Sequence, residues 1–299
     1  MWRVSYQKPI FVGLSDTVRG LEKEDFLKVF QLKKGKCLMD GSERMMKVAK
    51  DAALEAGGYI FEHMGKIKEI SHKSGITDLV TDVDKASEAI IVKKIKEAFP
   101  SHSLLAEESG KSGSEGDGPK WIIDPLDGTV NYAHAFPFFC VSIGVIYEGV
   151  GRIGVVYDPV RKEMFSAEIS KGSFLNEKKI SVTGTAEVQN SLIGTGFAYS
   201  LEKRISNLEL FEKMIAKAQA VRRPGAAALD LCYVAAGRLD GFWELSLSPW
   251  DTAAGHLIVT EAGGRVSMLD LACYDIFKEN ILATNGKIHD EMSTILTSR

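Results

Sequence analysis

Cysteine is scarce in this chain and badly placed for pairing. The four cysteines, Cys37, Cys140, Cys232 and Cys273, are scattered over 299 residues, and none forms a C-x-x-C pair. That spacing suggests neither a zinc site nor a disulfide framework, and it suits a reducing cytoplasm. Cys140 and Cys232 stand in apolar runs and read as buried thiols. Long apolar runs are also missing. No stretch reaches the roughly 18 residues that cross a bilayer, and no apolar core of a signal peptide follows Met1. Charge of one sign is not in excess: a net charge of -3 gives no footprint for nucleic acid or an anionic membrane. There is no internal repeat, and no histidine or cysteine is placed as a nucleophile.

What is present is an ordinary globular profile, 45% hydrophobic and 26% charged, long enough for one large domain or two ordinary ones. Residues 1–38 differ from the rest. Lys33, Lys34 and Lys36 form a basic cluster, and Leu21 to Leu32 suggests a short amphipathic helix. We read this as an extension, or as a start misassigned upstream of Met39. Ser42 is the expected N-cap of a helix over 43–65, with Met46, Ala49, Ala53, Ala56, Ile60 and Met64 on one face. Asp84 is the expected N-cap of a helix over 85–99, with Ala89, Ile91, Val92, Ile95 and Phe99 on its apolar side. The polar loop Ser71 to Gly75 precedes it. An antiparallel meander is expected over 136–175, helices near 201–218, 226–236 and 252–262 (the last capped by Asp251), and a final helix from about 287. These elements group into an N-terminal subdomain, 39–184, and a C-terminal subdomain, 185–299.

The centre of the chain is Trp121-Ile-Ile-Asp124-Pro125-Leu126-Asp127-Gly128-Thr129. A buried strand runs into two carboxylates, and Pro125 stiffens the turn between them. Such a turn aims Asp124, the Leu126 carbonyl and Asp127 at one point, and hard oxygens of this kind suit Mg²⁺. Gly128 and Thr129, at a helix start, offer free N–H groups to a phosphate. D-P-x-D-G is equally an ordinary turn sequence, so the remaining acids decide. Asp84, Glu107, Asp124, Asp127, Glu244 and Asp251 all fall at an expected strand end or helix start. A cluster of carboxylates needs cations to be stable, and two cations at one site clamp a phosphate and activate water.

Asp124-Pro-Leu-Asp127-Gly-Thr129, the upstream Glu107-Glu108-Ser109, and the downstream Trp250-Asp251-x-Ala-Ala-Gly with Glu261-Ala-Gly-Gly resemble the inositol monophosphatase family, a branch of the magnesium-dependent, lithium-sensitive phosphatases. The resemblance covers residues from about 43 to the C-terminus. It implies an α+β fold, a layered αβαβα sandwich of the inositol monophosphatase / fructose-1,6-bisphosphatase type, in a cytoplasmic homodimer. It implies two or three Mg²⁺ per site: Glu107, Asp124 and the Leu126 carbonyl for the first, Asp124, Asp127 and Asp251 for the second, and Glu107 with waters for a weaker third. Asp84 and Thr129 match the pair that prepares the attacking water, with Glu107 beside them in catalysis. Gly128 and Thr129 match the phosphate contacts. Gly225, Ala226, Ala227 and Glu244 match the polyol pocket, which Asp127 and Asp251 border. The implied activity is hydrolysis of inositol-1-phosphate, with no phosphoenzyme. Fructose-1,6-bisphosphate, with Arg222 or Arg223 on its second phosphate, adenosine 3′,5′-bisphosphate and histidinol phosphate are rival substrates. An RNA-linked regulatory protein on the same fold is the rival class.

Overall fold

A computed structural model describes residues 23–66, 70–72, 79–113, 118–198 and 200–298, with side chains from residue 41 onward save those of Ile70 and His72. Residues 1–22 and the rest of the loop after His72 fall outside what is described, as do the side chains of Cys37 and Met39. The chain divides into two units, Met1–Arg44 and Met45–Arg299. Helix α1 spans Lys23–His63 and passes through Ser42, so Ser42 caps no helix start.

Two sheets and three helical layers alternate in the second unit. The first sheet has eight strands in the order β10-β9-β8-β7-β6-β5-β3-β4. Its members are β3 (Ser103–Ala106), β4 (Gly110–Ser112), β5 (Lys120–Asp127), β6 (Cys140–Tyr147), β7 (Val150–Asp158), β8 (Glu163–Glu168), β9 (Gly172–Leu175) and β10 (Lys178–Lys179). Strands β6 to β9 form the antiparallel meander expected over 136–175, with β5 and β10 extending it, and among the described residues of this sheet only β3 and β5 pair in parallel. The second sheet, β12-β11-β13-β15-β14, holds β11 (Leu192–Thr195), β12 (Ala220–Arg222), β13 (Gly241–Leu245), β14 (Arg265–Ser267) and β15 (Asn280–Thr284). A small ribbon pairs β1 (Ile70–His72) with β2 (Leu79–Thr81).

The period of two along each strand sets the layers. Val141, Ile143 and Val145 of β6 pack with Ala49, Ala53 and Ile60 of α1 and with Ile91 and Ile95 of α2 (Asp82–Ala98). The opposite face of the same sheet meets α5 (Ala227–Ala235) and α7 (Gly255–Glu261), which also cover Phe242, Ile281 and Ala283 of the second sheet. Trp243 and Leu282 point the other way, towards Met214 of α4 (Leu201–Ile215) and Met292 of α8 (His289–Thr297). Helix, sheet, helix, sheet, helix is the αβαβα order.

Four local expectations are corrected. Asp84 is not an N-cap: Thr81 caps α2, and Asp84 lies at the third helical position, bonding back to the Thr81 N–H in a capping box. Asp251 stands in the same relation to Ser248, which caps the short helix α6 (Pro249–Thr252) with Pro249 at its first position. The helix expected over 252–262 is therefore two helices, α6 and α7. The buried face of α2 is also polar at its N-terminal end: Asp84, Ser87 and Glu88 are buried there, while Ala89 is exposed.

Two glycines let the layers meet. Gly144 and Gly154 are cross-strand partners on β6 and β7. A Cβ on Gly144 would lie 2.9 Å from the backbone carbon of Ala253, and one on Gly154 would lie 2.6 Å from the Ala254 carbonyl. The backbone joining α6 to α7 thus rests directly on the sheet. Gly154→Ala forces that backbone off, an overpacking change of about 1–3 kcal/mol. Calorimetry is expected to show a melting point lower by several degrees, with Asp251 displaced.

His289 offers a second test. Ser267 Oγ donates to the Met268 carbonyl, so it accepts from His289 Nε2 at 2.8 Å. Thr284 Oγ1 receives the Gly286 N–H and donates to His289 Nδ1 at 2.9 Å. The neutral ring is satisfied at both nitrogens, and a second proton would face a donor. Burial and Arg265 push its pKa down to about 4, against a partial lift from Asp290. The folded value lies below the unfolded one, so stability is full above roughly pH 6.5 and falls as pH drops towards 4. The loss is at most roughly 3 kcal/mol. Denaturant titrations from pH 7 to 4 should show this slope, and His289→Gln should flatten it.

Candidate active site

Strand β5 does not stop at Ile123 as the sequence suggests; it continues through Asp127, with its register broken between Asp124 and Asp127. The irregularity follows from Pro125, which donates no N–H to the ladder. It turns the Leu126 N–H onto Asp124 Oδ1 at 3.0 Å, and Ser87 Oγ takes the Pro125 carbonyl at 2.7 Å. Gly128 follows at φ 92°, where a Cβ would lie 3.0 Å from the Phe138 carbonyl and 3.3 Å from Ala226 Cβ. That conformation and that closeness both demand glycine. The short helix α3 (Thr129–Ala133) begins there.

The loop opens into a cavity of about 200 Å³ whose wall includes Glu107, Asp124, Leu126, Asp127, Gly128, Thr129 and Asp251. Every predicted cation ligand is therefore brought to one place. Ser246, Ser248 and Trp250, given no site role from sequence, complete the lining. Glu107 arrives from the turn after β3, its N–H bonded to the Ile123 carbonyl at 3.1 Å. Asp251 arrives from α6, its Oδ2 held by the Ser248 N–H at 2.6 Å.

Behind the wall, Asp84 is fully buried. Its Oδ2 accepts from Thr81 N at 2.8 Å and Thr81 Oγ1 at 2.6 Å. Its Oδ1 lies 3.0 Å from Thr129 Oγ1, which is also 3.0 Å from the Leu126 carbonyl. The predicted pair of Asp84 and Thr129 is thus in hydrogen-bond contact. Asp127 Oδ2 accepts from the Ala228 N–H at 2.7 Å, with the Cys140 thiol at 3.7 Å. That bond ties the loop to the start of α5. Asn131, passed over in the sequence, ties it again: its Nδ2 donates to Phe138 O at 2.8 Å and to Pro224 O at 2.9 Å. Its only sequence signal was its place in the Gly-Thr-Val-Asn run.

Gly225, Ala226, Ala227 and Glu244 are not among the lining residues. Gly225 (φ 96°) and Ala226 lead into α5, and Ala227 begins it. Glu244 is buried at the middle of the second sheet, with its carboxylate over Gly196, where a Cβ would strike it. Arg222 and Arg223 are exposed. Arg223 is one of the charges acting on Glu244.

The electrostatics are those of crowded anions. Burial, then Glu107, Asp127 and Asp251, push the Asp124 carboxyl well above its usual range. Burial, with Asp127 and Glu107, does the same to Asp251. Asp127 is pushed up to about 7 by burial, against the opposing Ala228 N–H. Glu244 is pushed up to about 8 by burial and Asp127, against Arg223. Among the described residues no three acids close on a common point at ligation distance, although Glu107 and Asp124 are near enough to share a hydrogen bond. Two carboxyls that meet in this way share a proton unless a cation lies between them. The donor set of carboxylates and one carbonyl contains no imidazole or thiolate, so it fits a hard divalent cation and not zinc.

Comparison with known proteins agrees with this geometry. A profile of the inositol monophosphatase family matches residues 42–298. An inositol-1-monophosphatase of Synechocystis sp. is 48% identical over 85% of this chain and 88% of its own. A Nus factor SuhB of Pseudomonas aeruginosa is 41% identical over 84% of this chain and 95% of its own. The structure of an inositol monophosphatase from Anabaena (Nostoc) superposes with a TM-score of 0.76 at 43% identity, covering 85% of this chain and 95% of that one. From its residues, its layers and these relatives together, the chain belongs to the inositol monophosphatase family.

Proposed function

We propose that the protein is a Mg²⁺-dependent phosphomonoesterase whose substrate is inositol-1-phosphate or a close polyol phosphate. The observation that carries this reading is that Glu107, Asp124, Leu126, Asp127, Thr129 and Asp251 line one cavity. Glu107, Asp124, Asp127, Asp251 and the Leu126 carbonyl would hold two or three cations. When bound, these supply positive charge that neutralises the phosphoryl oxygens and the leaving oxygen.

The chain's own residues do the rest. The Gly128 and Thr129 N–H groups hold the phosphate. Thr129 Oγ1 takes a proton from the attacking water as its own proton passes to Asp84 Oδ1, 3.0 Å away. Water oxygen bonds to phosphorus, the ester P–O bond breaks in line, the leaving alkoxide takes a proton from solvent water to become the alcohol, and Asp84 returns its proton to solvent. Glu244, with Gly225, Ala226 and Ala227 at the start of α5, binds the polyol hydroxyls. Cytoplasmic location and a homodimer complete the proposal; among the described residues no helix is long and apolar enough to cross a membrane.

The decisive measurement is phosphate release with Mg²⁺ from inositol-1-phosphate, fructose-1,6-bisphosphate and adenosine 3′,5′-bisphosphate, side by side. A kcat/KM for inositol-1-phosphate at least tenfold above the others, about 1.4 kcal/mol, is expected. Equal or better rates on the bisphosphates would move the assignment to a sugar or nucleotide bisphosphatase. Asp124→Asn should reduce release by at least about 100-fold, beyond the 10–100-fold typical of residues outside the coordination shell. No turnover from the parent chain would favour a binding role, the reading that the Nus factor relative supports.

Glu244 separates polyol binding from chemistry. Glu244→Ala should raise KM for inositol-1-phosphate about tenfold, the size of one good hydrogen bond. kcat on p-nitrophenyl phosphate, which has no polyol, should stay within about threefold.

A further inference from the structure

Helix α2 grips the site through three consecutive contacts from one face. Asp84, Ser87 and Glu88 stand at i, i+3 and i+4, so they share a side of the helix, and all three are buried. Asp84 meets Thr129 and Ser87 meets the Pro125 carbonyl. Glu88 meets the turn that carries Glu107: its Oε2 accepts from the Glu108 N–H at 2.8 Å, and its Oε1 accepts from the Ser109 N–H at 3.0 Å.

Glu88 is only 5% exposed, and among the described residues no lysine or arginine pairs with it. It faces two adjacent backbone donors of one turn. Buried acids away from water are costly unless their oxygens are bonded, so the turn and the carboxylate hold each other in one arrangement. The two N–H groups follow Glu107 directly. Its own N–H is fixed to the Ile123 carbonyl on the other side. The backbone of Glu107 is thereby clamped from both flanks, by β5 before it and by α2 after it.

We propose that Glu88 is a positioning residue for Glu107: it fixes the 107–109 turn against α2 and so sets where the Glu107 carboxylate enters the cavity. The proposal rests on the reading of Glu107 as a cation ligand. It requires a carboxylate at position 88. A glutamine there offers one acceptor and one N–H₂ group, so one backbone N–H would face another donor.

Mn²⁺ binding to the full chain, followed by electron paramagnetic resonance, tests this without relying on turnover. Glu88→Gln should weaken Mn²⁺ binding about tenfold, within the range seen when groups supporting a metal ligand are lost. The half-saturating Mg²⁺ for phosphate release should rise by a similar factor, while kcat at saturating Mg²⁺ stays within about threefold. A purely structural role would instead lower the active fraction at every Mg²⁺ concentration, in step with a lower metal-free melting point. Glu88→Asp keeps both acceptors on a shorter arm and should weaken binding by an intermediate factor. Parental Mn²⁺ affinity in Glu88→Gln sinks the proposal. Where that variant does not fold, parental affinity in Glu88→Asp sinks it equally. A parent chain that binds no Mn²⁺ and releases no phosphate would instead overturn the cation reading of Glu107 itself.

Discussion

Mutual repulsion among buried carboxylates is the constraint on which this structure turns. Burial pushes Asp124, Asp127 and Asp251 towards their neutral forms; Asp127 and Glu107 add to it at Asp124 and Asp251, and Glu107 at Asp127. A fold that places such groups together must hold each one from behind, because their own interaction drives them apart. Backbone N–H groups do that work. Leu126 N holds Asp124, Ala228 N holds Asp127, and Ser248 N holds Asp251. Each acid keeps an oxygen engaged in the scaffold.

Asp84 and Asp251 share one local device. Both sit at the third position of a helix that a hydroxyl residue caps, and both reach back to the cap's backbone N–H. The capping box normally secures a helix start. Here it also fixes the direction of a carboxylate without a basic partner, which would weaken its attraction for a cation. The device thus delivers acids from two different helices to the same region, Asp251 to the cavity wall and Asp84 to Thr129 behind it.

Much of this was legible in the sequence. The acids of Asp-Pro-Leu-Asp stood out because apolar residues led into them, and the meander showed in its alternation and turns. The exact caps did not. Thr81 and Ser248 were hidden because aspartate is itself a good cap and lies three residues on. The buried polar stripe of α2 was hidden for a related reason: Ser87 and Glu88 look like solvated residues in an amphipathic pattern, and their partners lie 20 to 40 residues away at Glu108, Ser109 and Pro125. Strands β11 and β12 are three or four residues long and carry glycine or arginine, too little pattern for a period of two to register. Asp127 holding α5 was beyond reach, since a contact across 101 positions leaves no local trace.

The glycine pair Gly144 and Gly154 ties two properties that are usually separate. Ala253 and Ala254 can lie on the sheet only where both glycines stand side by side. If β6 slipped by one residue against β7, a bulky side chain would occupy that berth and Asp251, two residues before Ala253, would have no seat. A mispaired sheet is therefore also a silent one. Catalytic competence becomes a proofreading signal for strand pairing, because a chain that has joined its strands wrongly cannot assemble the cavity.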